Sequence, residues 1–282
     1  MNRRRYLAAS GALGLSTLAG CTSSGDNDSE SDPTTSTPTP TTTGPTTTSE
    51  PAAPEITDSS LLTGWGAFGD TLDKQVTGVG QGASAIIGFR YEANVIDGSI
   101  DITEQVSVHG PDDNRVGLEE STDNQLVDGE GRQYWEHALS FDTSSWELGD
   151  HSYEVLVRNN ATGEVSGTAE GSFSVVEPLT DQDATISGVD APDSVSTGEP
   201  YAFTLEFANV SDRDSSIVSS LSVKYESSSE WSTWTEDPIW CNVAEGESNT
   251  WSSGEVSWDT PGTLEFRVDA IDETWTVDVT GE

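Results

Sequence analysis

The sequence predicts an all-β chain built from two sandwich domains behind a processed, extended N-terminus. Three observations carry that reading. Apolar residues alternate with polar ones in run after run, which buries one face of a strand. Clusters of Asn, Asp, Gly and Pro separate the runs. No stretch keeps a helical period. Several short strands with regular turns describe a β-sandwich.

The first domain is expected over residues 56–178. Ala85, Ile87, Phe89, Tyr91, Ala93 and Val95 share one face of a strand, with Arg90, Glu92 and Asn94 on the other. Ile100, Ile102, Val106 and Val108 repeat the pattern, as do Trp135, Leu139 and Phe141, and Tyr153, Val155 and Val157. A last strand is read through Val165, Ala169, Phe173 and Val175. Pro111 to Asn114 should turn the chain, and Asn159 to Gly163 should close a hairpin.

The second domain is expected over residues 179–282. Tyr201, Phe203, Leu205 and Phe207 alternate first, then Ile217, Leu221, Val223 and Tyr225. Val256 and Trp258 follow, then Leu264, Phe266 and Val268, and finally Trp275, Val277 and Val279.

The N-terminus gives an address. Arg3, Arg4 and Arg5 precede an uncharged run, Leu7 to Ala19, that is too short to cross about 30 Å of hydrocarbon as a helix. Residues 1–20 therefore read as a signal peptide. Residues 21–55 follow as a stalk: from Thr22 to Pro54, 23 of 33 residues are Ser, Thr or Pro, too polar to offset chain entropy by burial. At about 3 Å per residue such a stalk reaches roughly 100 Å, and its composition suits O-glycosylation.

Composition limits the partners. Eleven Lys and Arg stand against 50 Asp and Glu, a net charge of −39. Cleavage after residue 20 removes three arginines and no acid, which brings it to −42. That surface repels phosphate, so nucleic acid is excluded as a partner. Carboxylates at this density suit molar salt, where the Debye length falls to about 3 Å, and the fold is expected to depend on it.

Two resemblances follow from these residues. Leu18-Ala19-Gly20-Cys21 resembles a lipobox, and Arg3-Arg4-Arg5-Tyr6-Leu7 resembles the twin-arginine export signal, with Asn2 where Ser or Thr is usual. With the acidity, the chain resembles haloarchaeal surface lipoproteins. That implies export and a membrane anchor through lipid on Cys21. The segment Leu139 to Thr143 matches Val256 to Thr260, each followed by a glycine, an aromatic and a valine at like spacing. This resembles the penultimate hairpin of immunoglobulin-like domains, and the second domain looks like adhesion-type Ig-like modules. The resemblance implies fold more than activity.

Candidate sites are few. No catalytic residue and no cofactor is assigned. Gly64-Trp65-Gly66-Ala67-Phe68-Gly69 fits G-x-G-x-x-G, but no strong strand is read before it and glycines at 78, 80 and 82 break any helix after it. It reads as a lead-in to the first core strand. His109, His137 and His151 lack metal-ligand spacing and read as structural. Asp112-Asp113-Asn114, Asp181-Gln182-Asp183 and Asp212-Arg213-Asp214 are Ca²⁺-like by type but lack an EF-hand order. With Cys21 lipidated, Cys241 stands alone and reads as a buried apolar residue.

Asn27, Asn160 and Asn209 open N-glycosylation sequons, the last two at expected turns. Trp231 and Trp234 are an odd number apart, so an unbroken strand would point them to opposite faces and expose one to a partner protein or glycan. The function read from the sequence is a lipid-anchored, non-catalytic surface module. The alternative is an extracytoplasmic enzyme, or an accessory subunit of a membrane-bound enzyme or transporter complex.

Overall fold

The computed structural model describes residues 52–129, 131–234 and 239–281. The expected leader and most of the stalk lie outside them. Among the described residues no helix is long and apolar enough to cross a membrane.

The first sandwich contains β1 (Glu55–Leu62), a four-residue helix α1 (Asp70–Asp73), β2 (Gln75–Val76), β3 (Gly78–Gly80), β4 (Ser84–Val95), β5 (Ser99–His109), β6 (Arg115–Leu126), β7 (Gly131–Asp142), β8 (Gly149–Asn159) and β9 (Ala169–Val176). One sheet has the order β2-β1-β4-β7 and the other β3-β9-β8-β5-β6. The chain enters on the first sheet, then crosses so that β3 pairs parallel with the last strand, β9. That order is immunoglobulin-like. The odd-numbered residues of β4 and the even-numbered apolar residues of β5 meet in the core with Val155, Val157, Phe173 and Val175.

The second sandwich repeats the plan with β10 (Ala184–Asp190), β11 (Ser194–Ser196), β12 (Thr204–Asn209), β13 (Ser215–Ser219), β14 (Leu221–Tyr225), β15 (Ser232–Thr233), β16 (Ile239–Val243), β17 (Ser248–Ser252), β18 (Gly262–Val268) and β19 (Glu273–Thr280). Its sheets run β10-β12-β17 and β11-β19-β18-β14-β15, again with a parallel pair, β11 and β19, at one edge. A third ladder, β13-β16, arises because Ser220 interrupts one strand path: the chain pairs with β16 before it and with β18 after it. Phe203, Leu205, Phe207, Ile217, Leu221, Phe266, Val268 and Val277 form this core.

Four expectations need correction. An eight-residue strand, β1, precedes the Gly64–Gly69 segment, which therefore does not lead into the first strand. The strand read from Val165 begins at Ala169, and Val165 is exposed with a single bridge to Arg158. Val256 makes only an isolated bridge to Tyr201, and Trp258 follows it outside any strand. The repeated segments open no hairpin: β7 pairs with β4 in one sheet and the next strand, β8, lies in the other.

The sandwiches are joined through backbone contacts that side chains would block. Gly80 N donates to Ser216 Oγ at 2.8 Å, and Ser216 Oγ donates to Asn242 Oδ1 at 2.7 Å. Asn242 Nδ2 reaches back to Ser84 O at 2.9 Å. Thr77 donates from N and Oγ1 to Asp214 Oδ2 at 2.6 and 2.9 Å. A Cβ on Gly78 would meet Asp214 O at 2.8 Å, and one on Gly80 would meet the Ser216 Cβ at 2.9 Å. The linker seals the joint: Leu179 is buried in the second core while its N–H donates to Ser216 O at 2.8 Å.

Candidate functional site

On β4 the even-numbered residues face away from the core, and β7 lies beside it in register. Arg90 is opposite Glu136, Glu92 opposite Tyr134, and Asn94 opposite Arg132. Tyr134 and Trp135 are adjacent in a strand, so the pleat sends them to opposite faces. Trp135 packs against the core and Tyr134 is 61 % exposed.

The Gly64–Gly69 segment and α1 fold onto this outer face. Glu136, buried beneath them, accepts Gly69 N at 2.9 Å, Thr71 N at 2.7 Å and Arg90 Nη2 at 3.0 Å. Burial opposes its charge, but the bonds from Thr71, Gly69 and Arg90 prevail and hold its carboxyl below the usual range. Asp70 takes two further amides, Gly66 N at 2.6 Å and Ala67 N at 2.9 Å, with Lys74 Nζ at 3.1 Å. Burial opposes ionisation of Asp70 as well, and those donors again pull its pKa down. Three amides of the Gly64–Gly69 segment, those of Gly66, Ala67 and Gly69, are thus already bonded to the protein's own carboxylates.

The same fold lifts Phe68 over Arg90, with the guanidinium carbon 4.9 Å from the ring centroid and the ring 42 % exposed. Tyr134 bonds to Glu92, which raises the phenol's pKa and lowers the carboxyl's. Arg132 pairs with Glu92 and, at 2.6 Å, with Glu55. Two exposed rings and two paired arginines therefore lie on the outer side of β4 and β7. Leu72 of α1 is exposed as well.

Other candidates fall elsewhere. Trp234 points inward, its ring centroid 5.7 Å from Phe203 and 5.9 Å from Phe266. Trp231 is half-buried, with Lys224 Nζ 4.6 Å and the Arg267 guanidinium 4.4 Å from its ring. Those cations pair in turn with Glu265 and Asp269, each at 2.9 Å. Trp240, on the outward side of β16, is 40 % exposed.

Glu104 is the charged group deepest in the first core. Tyr91 Oη donates to it at 2.8 Å, and His137 Nδ1 contacts its other oxygen. Burial first, and Glu104 second, push the Tyr91 phenol well above its ordinary pKa. His151 is buried, ring-stacked with Trp146 and Phe173, and its Nδ1 lies 3.0 Å from Gly149 O. His109 ends β5 and is half-buried. Among the described residues no group of three or more His, Cys, Asp or Glu is arranged to hold a metal. The Ca²⁺-like runs serve local structure: Asp112 binds Asn114, Asp183 accepts Thr180 Oγ1 at 3.1 Å, and Asp214 holds the joint. An open cleft of about 450 Å³ lies beside that joint, lined by Ser59, Gln75, Tyr153, Ser172 and Asp214 among others.

Cys241 is buried, and burial pushes its thiol up to about 12 from 9.0. Its contribution to stability is complete below pH 9 and is lost as pH rises towards 12, because only the unfolded chain ionises there. The unfolding free energy taken from urea melts between pH 8 and 11 should fall for the native protein by up to about 1.4 kcal/mol per pH unit above 9. Cys241→Val should remove that share of the slope. An unchanged slope in the variant would assign it to the tyrosines.

The sequons separate. Asn160 is exposed, its Nδ2 bonded to Asp101 Oδ1 at 2.8 Å and Thr103 Oγ1 at 3.0 Å. Asn209, expected at an accessible turn, is 2 % exposed and donates both amide hydrogens inward, to Arg213 O at 2.8 Å and Val243 O at 3.1 Å. Glycopeptide mass spectrometry of the native protein should find glycan on Asn160 and none on Asn209. Glycan on Asn209 would mean that modification precedes folding. Arg3, Arg4, Cys21 and Asn27 lie outside the described residues.

No family model matches the chain, and no curated protein matches it. Among solved structures it is similar to red sea bream transglutaminase, at 8 % identity and a TM-score of 0.29, over 82 % of this chain and 32 % of that one. It is similar to a titin tandem of two Ig domains, at 11 % identity and a TM-score of 0.24, over 83 % and 100 %. A third is the Ig1-2 module of the Drosophila receptor protein tyrosine phosphatase DLAR, at 11 % and 0.28, over 82 % and 100 %. Likeness at this level carries no argument about activity. The sandwich class rests on the strand order described above.

Proposed function

We propose that the protein is a lipid-anchored, non-catalytic binding module on the cell surface of a high-salt organism. It meets a protein, glycan or envelope partner through the outer face of β4 and β7. One observation carries the reading: Phe68, from the segment laid over the sheet, and Tyr134 of β7 stand exposed beside Arg90 and Arg132 on the outer side of β4 and β7. Large exposed rings amid polar groups mark contact surfaces. The leader, the lipobox and the Ser/Thr/Pro stalk supply the address, and the acidity supplies the milieu.

A photo-crosslinking residue at position 134, on intact cells in molar salt, should capture a partner. The same residue at exposed Val210 in the second sandwich should not. Equal capture at both positions, or none at 134, would remove the face from consideration. Cys21→Ser should leave the membrane fraction; full retention there would show a different anchor.

A further inference from the structure

The second sheet of the first sandwich ends in an open edge. β6 pairs with β5, and no strand among the described residues pairs along its other side. We infer that this edge pairs with β6 of a second copy of the chain, antiparallel, about a two-fold axis at Thr122. The inference goes beyond the outer face of β4 and β7 and does not depend on it.

Backbone direction sets what the edge can accept. Val127 N donates to Gly98 O at 3.0 Å, so the odd-numbered residues of β6 turn their backbone groups towards β5. On the far side of β5, Asn160 N donates to Asp101 O at 2.8 Å, so β5 spends its odd-numbered residues on β8 and its even-numbered ones on β6. The N–H and C=O groups of Leu118, Glu120, Thr122, Asn124 and Leu126 therefore point out of the sheet. The backbone of another strand matches such a row. The side chains leave the row open, since all of these residues are exposed. Leu118 and Leu126, 45 % and 86 % exposed, put apolar surface on the same outward face.

The residues of β6 are complementary to their own copy. Outward-pointing backbones must oppose one another, so the axis passes through a residue and not between two. At Thr122 it sets Leu118 opposite Leu126, Glu120 opposite Asn124, Glu119 opposite Gln125 and Asp123 opposite Ser121. Leucine meets leucine, and each carboxylate meets an amide or a hydroxyl that can donate to it. Neighbouring axes fail. One at Ser121 opposes Glu119 to Asp123, and one at Glu120 or at Asp123 opposes that carboxylate to its own copy. With the axis at Thr122 each outward residue donates one bond and accepts one, about ten in the ladder. Glu119, Glu120 and Asp123 still approach their counterparts, and the whole chain is acidic, so the pairing needs the screening of molar salt.

Sedimentation velocity of the full-length protein in molar KCl should show a monomer–dimer equilibrium that moves to dimer with concentration. Thr122→Pro removes one outward N–H that has no ladder partner in the monomer. It should weaken dimerisation by about tenfold or more and leave circular dichroism unchanged. Mild oxidation reads the register, in a Cys21→Ser background where Cys241 is buried. Thr122→Cys should crosslink to its own copy, the two Cα atoms lying about 5.5 Å apart. Glu120→Cys should not crosslink to itself, but should do so to Asn124→Cys. A monomer at every concentration overturns the inference, as does a dimer that survives Thr122→Pro, or self-crosslinking of Glu120→Cys equal to that of Thr122→Cys. Crosslinking of Thr122→Cys to a different protein on intact cells, with the purified chain monomeric, would give the edge to a foreign strand and refute self-pairing. None of these outcomes bears on capture at position 134.

Discussion

Phe203→Ala should unfold the second sandwich under conditions where the parent is stable. Phe203 is fully buried, and four rings surround it: Trp275 at 5.2 Å, Phe266 at 5.4 Å, Trp234 at 5.7 Å and Trp251 at 6.1 Å between centroids. Truncation removes the common neighbour and leaves a cavity that flat, mutually braced rings cannot close. A loss of about 3–5 kcal/mol is expected. A domain of this size has a total of about 5–15 kcal/mol. Urea melts in molar KCl, followed by tryptophan fluorescence, should report it, since Trp234, Trp251 and Trp275 all touch Phe203. Phe68→Ala, at an exposed ring, should shift the same melt by no more than about 0.5 kcal/mol. A Phe203→Ala loss under about 1 kcal/mol would mean that these rings do not form the core.

Asn242→Ala should split one thermal transition into two. Asn242 is fully buried at the joint, where its amide links Ser216 of the second sandwich to the Ser84 carbonyl of the first. Alanine leaves the Ser84 carbonyl and the Ser216 hydroxyl short of a partner, at a cost of about 2–4 kcal/mol. The cost falls on the contact between sandwiches, not on either core. Scanning calorimetry should therefore show the sandwiches melting separately. A single transition, merely shifted, would place Asn242 in the stability of one sandwich alone. Ser216→Ala should act in the same direction, because it removes both the acceptor of Gly80 N and the donor to Asn242 Oδ1.

The strands that the sequence announces are those with one fully buried face. Tyr91 and Phe89 in β4, and Val155 and Val157 in β8, alternate cleanly because each strand has neighbours on both sides. β6 escaped notice for the opposite reason. It pairs only with β5 and buries none of its twelve residues, so Arg115 to Leu126 carry no hydrophobic period. β1 escaped because Asp58, Ser59 and Ser60 interrupt its pattern before Leu61 and Leu62.

The candidate face was half legible. The pleat rule that separates Trp231 from Trp234 applies with more force to adjacent Tyr134 and Trp135, where one ring must point outward. Phe68 was not legible: its exposure depends on Glu136, 68 residues further on, holding the backbone of Gly69 and Thr71. The burial of Asn209 likewise depends on a distant strand, through the Val243 carbonyl.

The position of β1 has a mechanical consequence. Any pull on the chain ahead of Glu55 enters the folded part through this strand, whose partners in β4 include Arg90 and Glu92. If the proposed anchor and the proposed contact at Tyr134 both hold, tension between them would cross one antiparallel ladder and the β4–β7 pairing beside it. The second sandwich, attached beyond β9, lies off that load path. It would feel no force from such a pull, and its rupture strength would not limit how firmly the protein holds on.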